Sequence, residues 1–442
     1  MNESNGRAQR STKLILHSSI RALRSAIRNI LFLLLTAFMN PIVPSPVLAG
    51  RVYVDVTSPN LRPLPIAVQN FVGGKEISDK VKNDLDFTGL FHCIDEASQI
   101  EGPDKPFSPM GWQGLGTELV VKGKVLPGRE LTVVVTAHDV STAQEVLNKE
   151  YSASPELAGV LAHSISNDIY NILTGGRGIF RSKIAFVRGG GDKRELAVMD
   201  WDGGREFSTG VTAEIVLTPR WSNRGDKVLY SAERNRQWGI YLLDMGGMKE
   251  KSIVNMAGLN MAGNFFPDGN KFVFASSRNG NSNIYIANID SMKGEKLVSS
   301  PWIEVSPSIS PDGNQMLFVS NRSGSPQVYM SDKDGNGIRR LTFEGNYNTS
   351  PAWSPRGDRI VYTSMVVGAN QVFVMKTDGS GSVQLTDKGS NEDPCFSPDG
   401  RYIAFSSNRD GVRGIYLMRT NGEGQHRITP RGVRAVGPSW SP

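Results

Sequence analysis

The chain has 442 residues, which is long enough for two or three domains and a large hydrophobic core. Hydrophobic residues make up 39% of it and charged residues 21%, a balance that excludes both a polytopic membrane protein and a long disordered chain. The formal net charge is +6, but residues 1–49 supply six basic side chains against one acidic, so the rest of the chain is nearly neutral and we predict no nucleic-acid partner.

Residues 1–49 have the pattern of a secretory signal peptide. A basic segment precedes an apolar run of ten residues, Ile30 to Met39, and Val47 and Ala49 occupy the −3 and −1 positions of a cleavage site. The apolar run is too short to span a bilayer, which needs about 20 residues. Residues 10–29 are rich in Arg and Ser, so a mitochondrial transit peptide is the competing interpretation. We predict that the mature chain is exported and soluble.

Residues 50–178 are predicted to form a small α/β domain. One helix is expected from about Glu76 to Phe87. A second is expected to start with Ser154 as its N-cap and to stop at Gly175, because an apolar stripe with helical spacing lies between them. Strands are predicted where Val, Ile and Phe are frequent between turn residues. These stretches are RVYVDV at 51–56, LPIAVQNF at 64–71, ELVVKGKVL at 118–126 and ELTVVVTAHDV at 130–140.

Residues 179–442 contain a repeat of about 44 residues. Each copy has an apolar stretch leading into a glycine-containing turn, followed by three further strand-like stretches. Four short strands in a period of this length indicate a β-propeller blade. The repeated motifs are WSNRGDK at Trp221, FFPDGNK at Phe265, ISPDGNQ at Ile309, WSPRGDR at Trp353, FSPDGRY at Phe396 and a final WSP at Trp440.

The number of strand motifs predicts how the propeller closes. The first-strand motif occurs six times, and its last copy lies at the C-terminus. The other three strand types also occur six times, beginning with KIAFV at Lys183, and this first set has no preceding first strand. We therefore predict an α/β domain followed by an all-β six-bladed propeller, closed by pairing the C-terminal strand with the first blade, which leaves no open sheet edge.

No catalytic or metal-binding constellation is evident in the sequence. The histidines after the signal segment have no metal-ligand spacing, no serine lies in GxSxG, and there is no P-loop. The two cysteines, Cys93 and Cys395, lie in apolar stretches, so we expect two buried free thiols rather than a bridge. We predict a protein that is not an enzyme and that needs no cofactor or metal.

Repeat symmetry suggests where a binding surface lies, because positions that differ between blades are free to carry function. The most variable segments lead from one blade into the next, around the mouth of the central channel. They mix acids, amides and apolar groups, which suits a protein or peptide ligand. The candidates are Leu259, Asn260, Met261, Ala262, Glu304, Val305, Ser306, Asn348, Asn391 and Glu392. The same segments contain Glu214, Glu344, Asn346, Asp393, Arg431 and Arg434.

An exported α/β domain followed by six blades of the SPDG type, in a chain ending PSWSP, resembles the TolB family of the Tol-Pal cell-envelope system. The resemblance covers the whole mature chain. Beside the blade motifs, which many propellers share, it rests on the RVYVDV stretch at 51–56 and on the helix that leads into GIFRSKIAFV at 178–187.

The resemblance implies a periplasmic connector between inner-membrane TolA and the outer-membrane lipoprotein Pal, supporting outer-membrane integrity and invagination during cell division. It implies a monomer that meets the outer membrane only through Pal. It places Pal, and the Tol-binding segments of some colicins, at the channel mouth near Leu259, Ala262, Val305 and Ser306. The mature N-terminal segment would engage TolA through Arg51, Val52, Tyr53, Val54, Asp55 and Val56.

Two alternatives from other functional classes stay open. One is the propeller half of a hydrolase of the prolyl-oligopeptidase type, which would carry a further domain with a GxSxG serine. The other is a periplasmic polysaccharide-binding propeller, for which aromatic residues at the mouth are the expected signal. Trp302 and Tyr347 are too few to decide between the two.

Overall fold

The computed structural model describes residues 62–189, 192–290 and 294–442. The predicted signal peptide and the predicted strand at 51–56 lie outside these residues. Within them, an α/β domain is followed by a β-propeller, as predicted. No helix in the described ranges is long and apolar enough to cross a lipid bilayer.

The α/β domain is built on one five-stranded sheet with the strand order β2-β1-β3-β4-β5. The central strand β1 runs parallel to β2 and β3, whereas β3, β4 and β5 are antiparallel neighbours. The strands are β1 (Leu64–Val68), β2 (Phe91–Cys93), β3 (Leu119–Leu126), β4 (Leu131–Asp139) and β5 (Glu145–Ala153). The helices are α1 (Lys75–Phe87), α2 (Pro109–Gly114) and α3 (Ala158–Thr174), with short 3-10 turns at Glu96–Ser98 and Pro155–Leu157.

Helices α1 and α3 cover one face of this sheet and form most of its core. Val81 of α1 and Ile165 of α3 are fully buried against Ile66 of the central strand. The other face is covered more thinly, by Trp112 of α2 packing on Val120. The apolar stripe on α3 therefore faces the sheet, as its helical spacing predicts.

The second long helix begins later than expected. Residues Pro155–Leu157 form a 3-10 turn, the α-helix starts at Ala158, and the Ser154 side chain makes no capping hydrogen bond. The end of the helix agrees with the prediction, because Gly175 has a left-handed φ of 71° and its N–H donates to the carbonyl of Asn171. Pro155 fixes a backbone φ that is compatible with a 3-10 helix as well as with an α-helix, so the first turn can be 3-10 and the α-helix can start after it.

The propeller consists of six four-stranded antiparallel sheets, the blades, as predicted. Blade 1 contains β6 (Lys183–Arg188), β7 (Arg194–Asp200), β8 (Glu206–Ala213) and the last strand, β29 (Ala435–Trp440). Blade 2 contains β9 (Ile215–Trp221), β10 (Lys227–Arg234), β11 (Gln237–Asp244) and β12 (Lys249–Val254), and blade 3 contains β13 (Asn260–Phe265), β14 (Lys271–Ser276), β15 (Asn283–Asn288) and β16 (Gly294–Val298).

The remaining three blades repeat this pattern with shorter outer strands. Blade 4 contains β17 (Glu304–Ile309), β18 (Gln315–Ser320), β19 (Gln327–Asp332) and β20 (Arg339–Arg340). Blade 5 contains β21 (Asn348–Trp353), β22 (Arg359–Val366), β23 (Ala369–Lys376) and β24 (Val383–Gln384). Blade 6 contains β25 (Asn391–Phe396), β26 (Tyr402–Ser407), β27 (Gly414–Arg419) and β28 (His426–Arg427).

The C-terminal strand closes the propeller. Strand β29 pairs antiparallel with β6, so the end and the beginning of the propeller share blade 1. In two repeats the tryptophan at the end of the inner strand joins neighbouring blades: the Trp221 indole donates to the carbonyl of Ser439 at 3.0 Å, and the Trp353 indole to that of Ser308 at 3.0 Å.

The α/β domain packs against blades 1 and 6 through an aromatic contact. The ring of Phe87, at the end of α1, lies 4.7 Å from that of Trp201 in blade 1 and 4.8 Å from that of Tyr402 in blade 6. One continuous core cluster includes residues from both domains, such as Ile169 of α3 and Ile184 of β6. The domain thus rests on the face of the propeller where the repeated glycine turns lie.

The tip of one hairpin in blade 5 departs from the residues that its turn favours. Val367 and Gly368 form a two-residue loop between β22 and β23 with φ values of 49° and 79°, a combination that favours Asn-Gly. A β-branched residue is strained there, and Val367 is fully exposed.

We expect Val367→Asn to raise the free energy of unfolding by roughly 1 kcal/mol, measured by chemical denaturation. Val383→Asn, at an exposed strand position, should give no gain, and an equal gain there would contradict the argument.

Candidate functional site

The innermost strand of every blade is bent by an irregularity half-way along its length, where the pairing register shifts. In five blades the residue at this point precedes a proline and has a positive φ, between 49° and 63°. A residue other than glycine pays about 1–2 kcal/mol for that conformation. These bulges re-aim the side chains along the channel wall. The five residues are Thr218, Ser306, Ser350, Asp393 and Gly437.

The inner strands enclose a cavity of about 440 Å³ on the propeller axis. Its wall is formed by the residues around the bulges and by the prolines of the repeated turns, for example Pro311 and Pro398. None of the ten predicted mouth residues, all of which are described, lines this cavity. The cavity therefore occupies the turn end of the channel, and the predicted mouth lies at the other end of the inner strands.

Two charged side chains line the cavity. Burial lowers the pKa of the Arg220 guanidinium. Burial also raises the pKa of the Asp393 carboxyl, and the neighbouring charge of Glu392 adds to that rise. Arg220 donates a hydrogen bond to the carbonyl of Pro219 at 2.8 Å, and Ser350 donates to Asp393 at 3.4 Å. Sequence analysis placed Asp393 among the variable loops and did not single out Arg220.

The structure corrects the predicted exposure of half of the mouth residues. Four of them occupy the same repeat position, the first residue of the inner strand, and are buried with their side chains hydrogen-bonded to the blade. Ala262 is buried in the core between blades 2 and 3. Three of these four are Asn, a repetition that indicates a structural role, but the variability of the loops as a whole concealed it. The four are Asn260, Glu304, Asn348 and Asn391.

The hydrogen bonds of two of these residues show what this position does. The Asn260 amide donates to the carbonyls of Trp238 and Met256, at 3.0 and 2.8 Å. Glu304 accepts hydrogen bonds from Ser320 at 3.1 Å and from Arg322 at 2.9 Å, and its side chain has no exposed surface. Both side chains fix the entry loop of their blade, so replacing them would disturb the fold as well as any binding surface.

The other five predicted mouth residues remain accessible. Leu259, Met261, Val305, Ser306 and Glu392 are each partly exposed. Of these, only the last carries a charge. Its carboxylate accepts hydrogen bonds from Arg413 at 2.8 Å and from Asn370 at 2.9 Å. Burial raises the pKa of this carboxyl, but these hydrogen bonds outweigh burial, and the pKa is lowered overall.

The entry loops also expose apolar side chains, of which sequence analysis named only Trp302, for the sugar-binding alternative. Trp302 and Ile303 directly precede Glu304 and are 44% and 47% exposed, and Phe343 in the next loop is 73% exposed. The signal in the sequence was the occurrence of large apolar residues in segments otherwise made of turn residues. The face that carries the entry loops is therefore more apolar than predicted. Contiguous exposed apolar groups are typical of protein contact surfaces.

A second polar cluster lies where the α/β domain meets blade 1. The Nδ1 atom of His163 on α3 lies 2.8 Å from a carboxylate oxygen of Asp84 on α1, and its Nε2 lies 3.6 Å from Asp202 in the β7–β8 turn. Lys80 also forms an ion pair with Asp202. Sequence analysis treated His163 as an ordinary core or surface residue, because its two partners are distant in the chain.

The donor atoms of Asp84, His163 and Asp202 all lie within 4.8 Å of one another, as in a metal site. Burial lowers the pKa of His163, but hydrogen bonds to Asp202 and Asp84 outweigh burial and raise it to about 9. Hydrogen bonds from His163 and Lys80 in turn hold the pKa of Asp202 well below its usual range, against the effect of burial. The cluster is therefore a balanced set of two cations and two carboxylates.

The two cysteines are both unpaired. Cys93 is buried, as expected, whereas Cys395 is only partly buried because it lines the central cavity. Burial raises the pKa of both thiols, to about 12 for Cys395, so neither is a reactive thiolate at neutral pH.

Two family models match the chain, in sequence order. A model described as the TolB amino-terminal domain matches residues 52–146, and one described as the TolB beta propeller domain matches residues 170–442, more than half of the chain. The chain belongs to the TolB family. Family membership agrees with the resemblance inferred from the blade motifs and from the segment that leads into β6.

Individual TolB proteins are similar to this chain over different lengths. A protein named Tol-Pal system protein TolB from Cereibacter sphaeroides is 32% identical over 226 residues, which cover 47% of this chain and 51% of that protein. The chain thus aligns with about half the length of this curated relative. The crystal structure of TolB from Acinetobacter baumannii superposes with a TM-score of 0.78 at 26% identity, covering 86% of this chain and 97% of that one.

Proposed function

We propose that this TolB-family chain is a periplasmic interaction component of a Tol-Pal system that links inner-membrane TolA to the outer-membrane lipoprotein Pal. In this role it would support outer-membrane integrity and invagination during cell division. The observation that carries the proposal is the match of both TolB family models, amino-terminal domain first and propeller second, along one chain. The relative from Cereibacter sphaeroides, named as a Tol-Pal system protein, supports the same role.

For Pal we propose the face of the propeller that carries the entry loops of the blades. The accessible predicted residues lie there, and the exposed Trp302 and Ile303 add apolar surface beside Val305. Aromatic and aliphatic side chains with a polar rim are the usual composition of a protein contact. The described part of the α/β domain packs on the opposite face and so does not cover the entry loops.

Charge reversal at the partly exposed Glu392 tests this surface. We expect Glu392→Lys to weaken binding of purified Pal by about tenfold or more in calorimetry, because a rim charge facing a partner is inverted. The substitution also places a like charge beside Arg413 at a pair that is only 21% and 28% exposed, so chemical denaturation of the variant accompanies the titration and affinities are compared under conditions where it is folded. Glu304→Lys is not a suitable test, because that side chain is buried against Arg322.

The control for this experiment is Glu295→Lys. Glu295 is exposed on β16, the outermost strand of blade 3, and the same charge change there leaves the entry loops untouched. Pal affinity should equal that of the unchanged chain. Equal affinities for both variants and the unchanged chain would rule out the entry-loop face around Glu392 as the Pal contact.

For TolA we propose the segment Arg51–Val56, which lies outside the described residues. Deleting these six residues should abolish retention of purified TolA on the immobilised chain, since an extended segment with alternating side chains can add to a partner's sheet. Retention of Pal should persist, because the propeller is unchanged. If the deleted chain still retained TolA, the TolA site would have to lie elsewhere.

A further inference from the structure

The six blades do not contribute equally to the charge of the central cavity. The residues that precede and follow the inner-strand proline occupy twelve equivalent positions, with a glycine in place of the proline in blade 3, and eight of the twelve line the cavity. Of these twelve positions, only Arg220 in blade 2 and Asp393 in blade 6 carry a charge. The neutral residues at the equivalent positions are Thr218, Ala262, Asn264, Ser306, Ser308, Ser350, Ala352, Cys395, Gly437 and Ser439.

The fold itself does not account for these two charges. Both residues are described, and neither forms an ion pair within 4.0 Å with the other or with a third described side chain. They influence each other only at longer range: the Arg220 charge lowers the pKa of the Asp393 carboxyl, but burial outweighs this effect and raises it. A charge that is partly removed from water is stabilised when a direct partner replaces the lost hydration. The other blades form the same strands and the same bulges with neutral residues, so neither charge is needed to build the wall. A charged molecule in the cavity would give each of the two side chains a direct ion-pair partner.

We propose that this cavity binds a zwitterionic small molecule of amino-acid to dipeptide size, with its carboxylate on Arg220 and its ammonium group on Asp393. A guanidinium donates two parallel hydrogen bonds to a carboxylate, and a carboxylate accepts from an ammonium. The volume of about 440 Å³ lies in the range of small-molecule sites. Ser308 and Asn264 add uncharged polar groups to the wall, and the turn prolines add apolar surface.

The test uses the purified full chain and three probes in calorimetric titrations. Glycylglycine carries both charges, acetate only the negative one and methylammonium only the positive one. We expect glycylglycine to bind at least about tenfold more tightly than either of the others, because only it satisfies both side chains. Arg220→Gln and Asp393→Asn should each weaken glycylglycine binding by about tenfold or more.

Matched controls are Arg236→Gln and Asp290→Asn, which neutralise exposed charges outside the cavity and should leave glycylglycine affinity unchanged. Thermal melts of all four variants establish that they are folded. The proposal is overturned if the unchanged chain binds glycylglycine no more tightly than acetate, if it binds none of the three probes, or if folded Arg220→Gln and Asp393→Asn retain full affinity. None of these outcomes depends on whether Pal or TolA binds the chain.

Discussion

Trp440→Ala is expected to lower the free energy of unfolding by roughly 3–5 kcal/mol, the usual cost of deleting a large buried aromatic side chain. Trp440 is the last residue of β29 and is 8% exposed. Its indole donates to the Ser182 hydroxyl at 2.7 Å, and the next residue, Ser441, donates its N–H to the carbonyl of Lys183 at 2.8 Å. The tryptophan thus fastens the C-terminal strand to the segment that enters blade 1.

Deletion of residues 435–442 should have a larger effect than this substitution. It removes the whole of β29, exposes the edge of β6, and removes the Ser439 carbonyl that accepts the Trp221 indole of blade 2. Both blades beside the gap lose contacts, so cooperative unfolding of the propeller should be lost. Chemical denaturation followed by circular dichroism measures both changes.

Trp302→Ala is the matched control, because Trp302 is 44% exposed in a loop and its loss should cost no more than about 0.5 kcal/mol. The closure argument fails if the chain that lacks residues 435–442 unfolds at the same denaturant concentration, and as steeply, as the full chain.

The fold of the propeller could be predicted because each blade repeats the same local signals. The turn glycines adopt the positive φ for which glycine is favoured, 68° at Gly225 and 75° at Gly313. Closure was predictable because the first set of strands, at Lys183, lacks an inner strand and an extra inner-strand motif occurs at Trp440. The two parts pair as β6 and β29. In the α/β domain, long strands such as β3 and β4 were predicted from their Val-rich stretches.

Strands with weak patterns were missed. β5 lies at the edge of the sheet, and its sequence EVLNKEYSA is mostly exposed, so it lacks the alternation that marks a half-buried strand. β2 has only three residues. The position of β5 is set by pairing with β4 and that of β2 by pairing with β1, and the pattern of residues within one strand does not show its partner.

The candidate site was predictable only in part, for a physical reason. Variable entry loops contain both accessible residues and residues whose side chains hold the loop, and Asn260 and Met261 differ in burial although they are adjacent. Of the two charges in the cavity, Asp393 was assigned to a variable segment, whereas Arg220 was missed for the opposite reason. Arg220 directly precedes the repeated motif at Trp221, where the neighbouring residues are structural, and its position in the channel becomes apparent only when all six inner strands surround one axis.

The pairing of His163 with two carboxylates predicts a pH-dependent stability. The folded chain holds the pKa of His163 at about 9, above the ordinary value of 6.5, so folding favours the imidazolium. This contribution is fully present below about pH 6.5 and is lost as the pH rises through 9. We expect the free energy of unfolding to fall over this interval by at most about 3 kcal/mol. Chemical denaturation at a series of pH values between 6 and 10 measures it.

His163→Gln should flatten this dependence and also lower stability at pH 6, because Asp84 is 2% exposed and would lose its charged partner. His92→Gln is the control, since His92 is exposed on β2 and its removal leaves the cluster intact.

The loss at high pH should begin at the domain junction, because His163 lies on α3, Asp84 on α1 and Asp202 in blade 1. Amide exchange in α1 and α3 should therefore accelerate between pH 7 and 9 relative to blade 4, after correction for the intrinsic exchange rate. An identical pH dependence of unfolding in the unchanged chain and in His163→Gln would show that the cluster does not couple the domains through this proton.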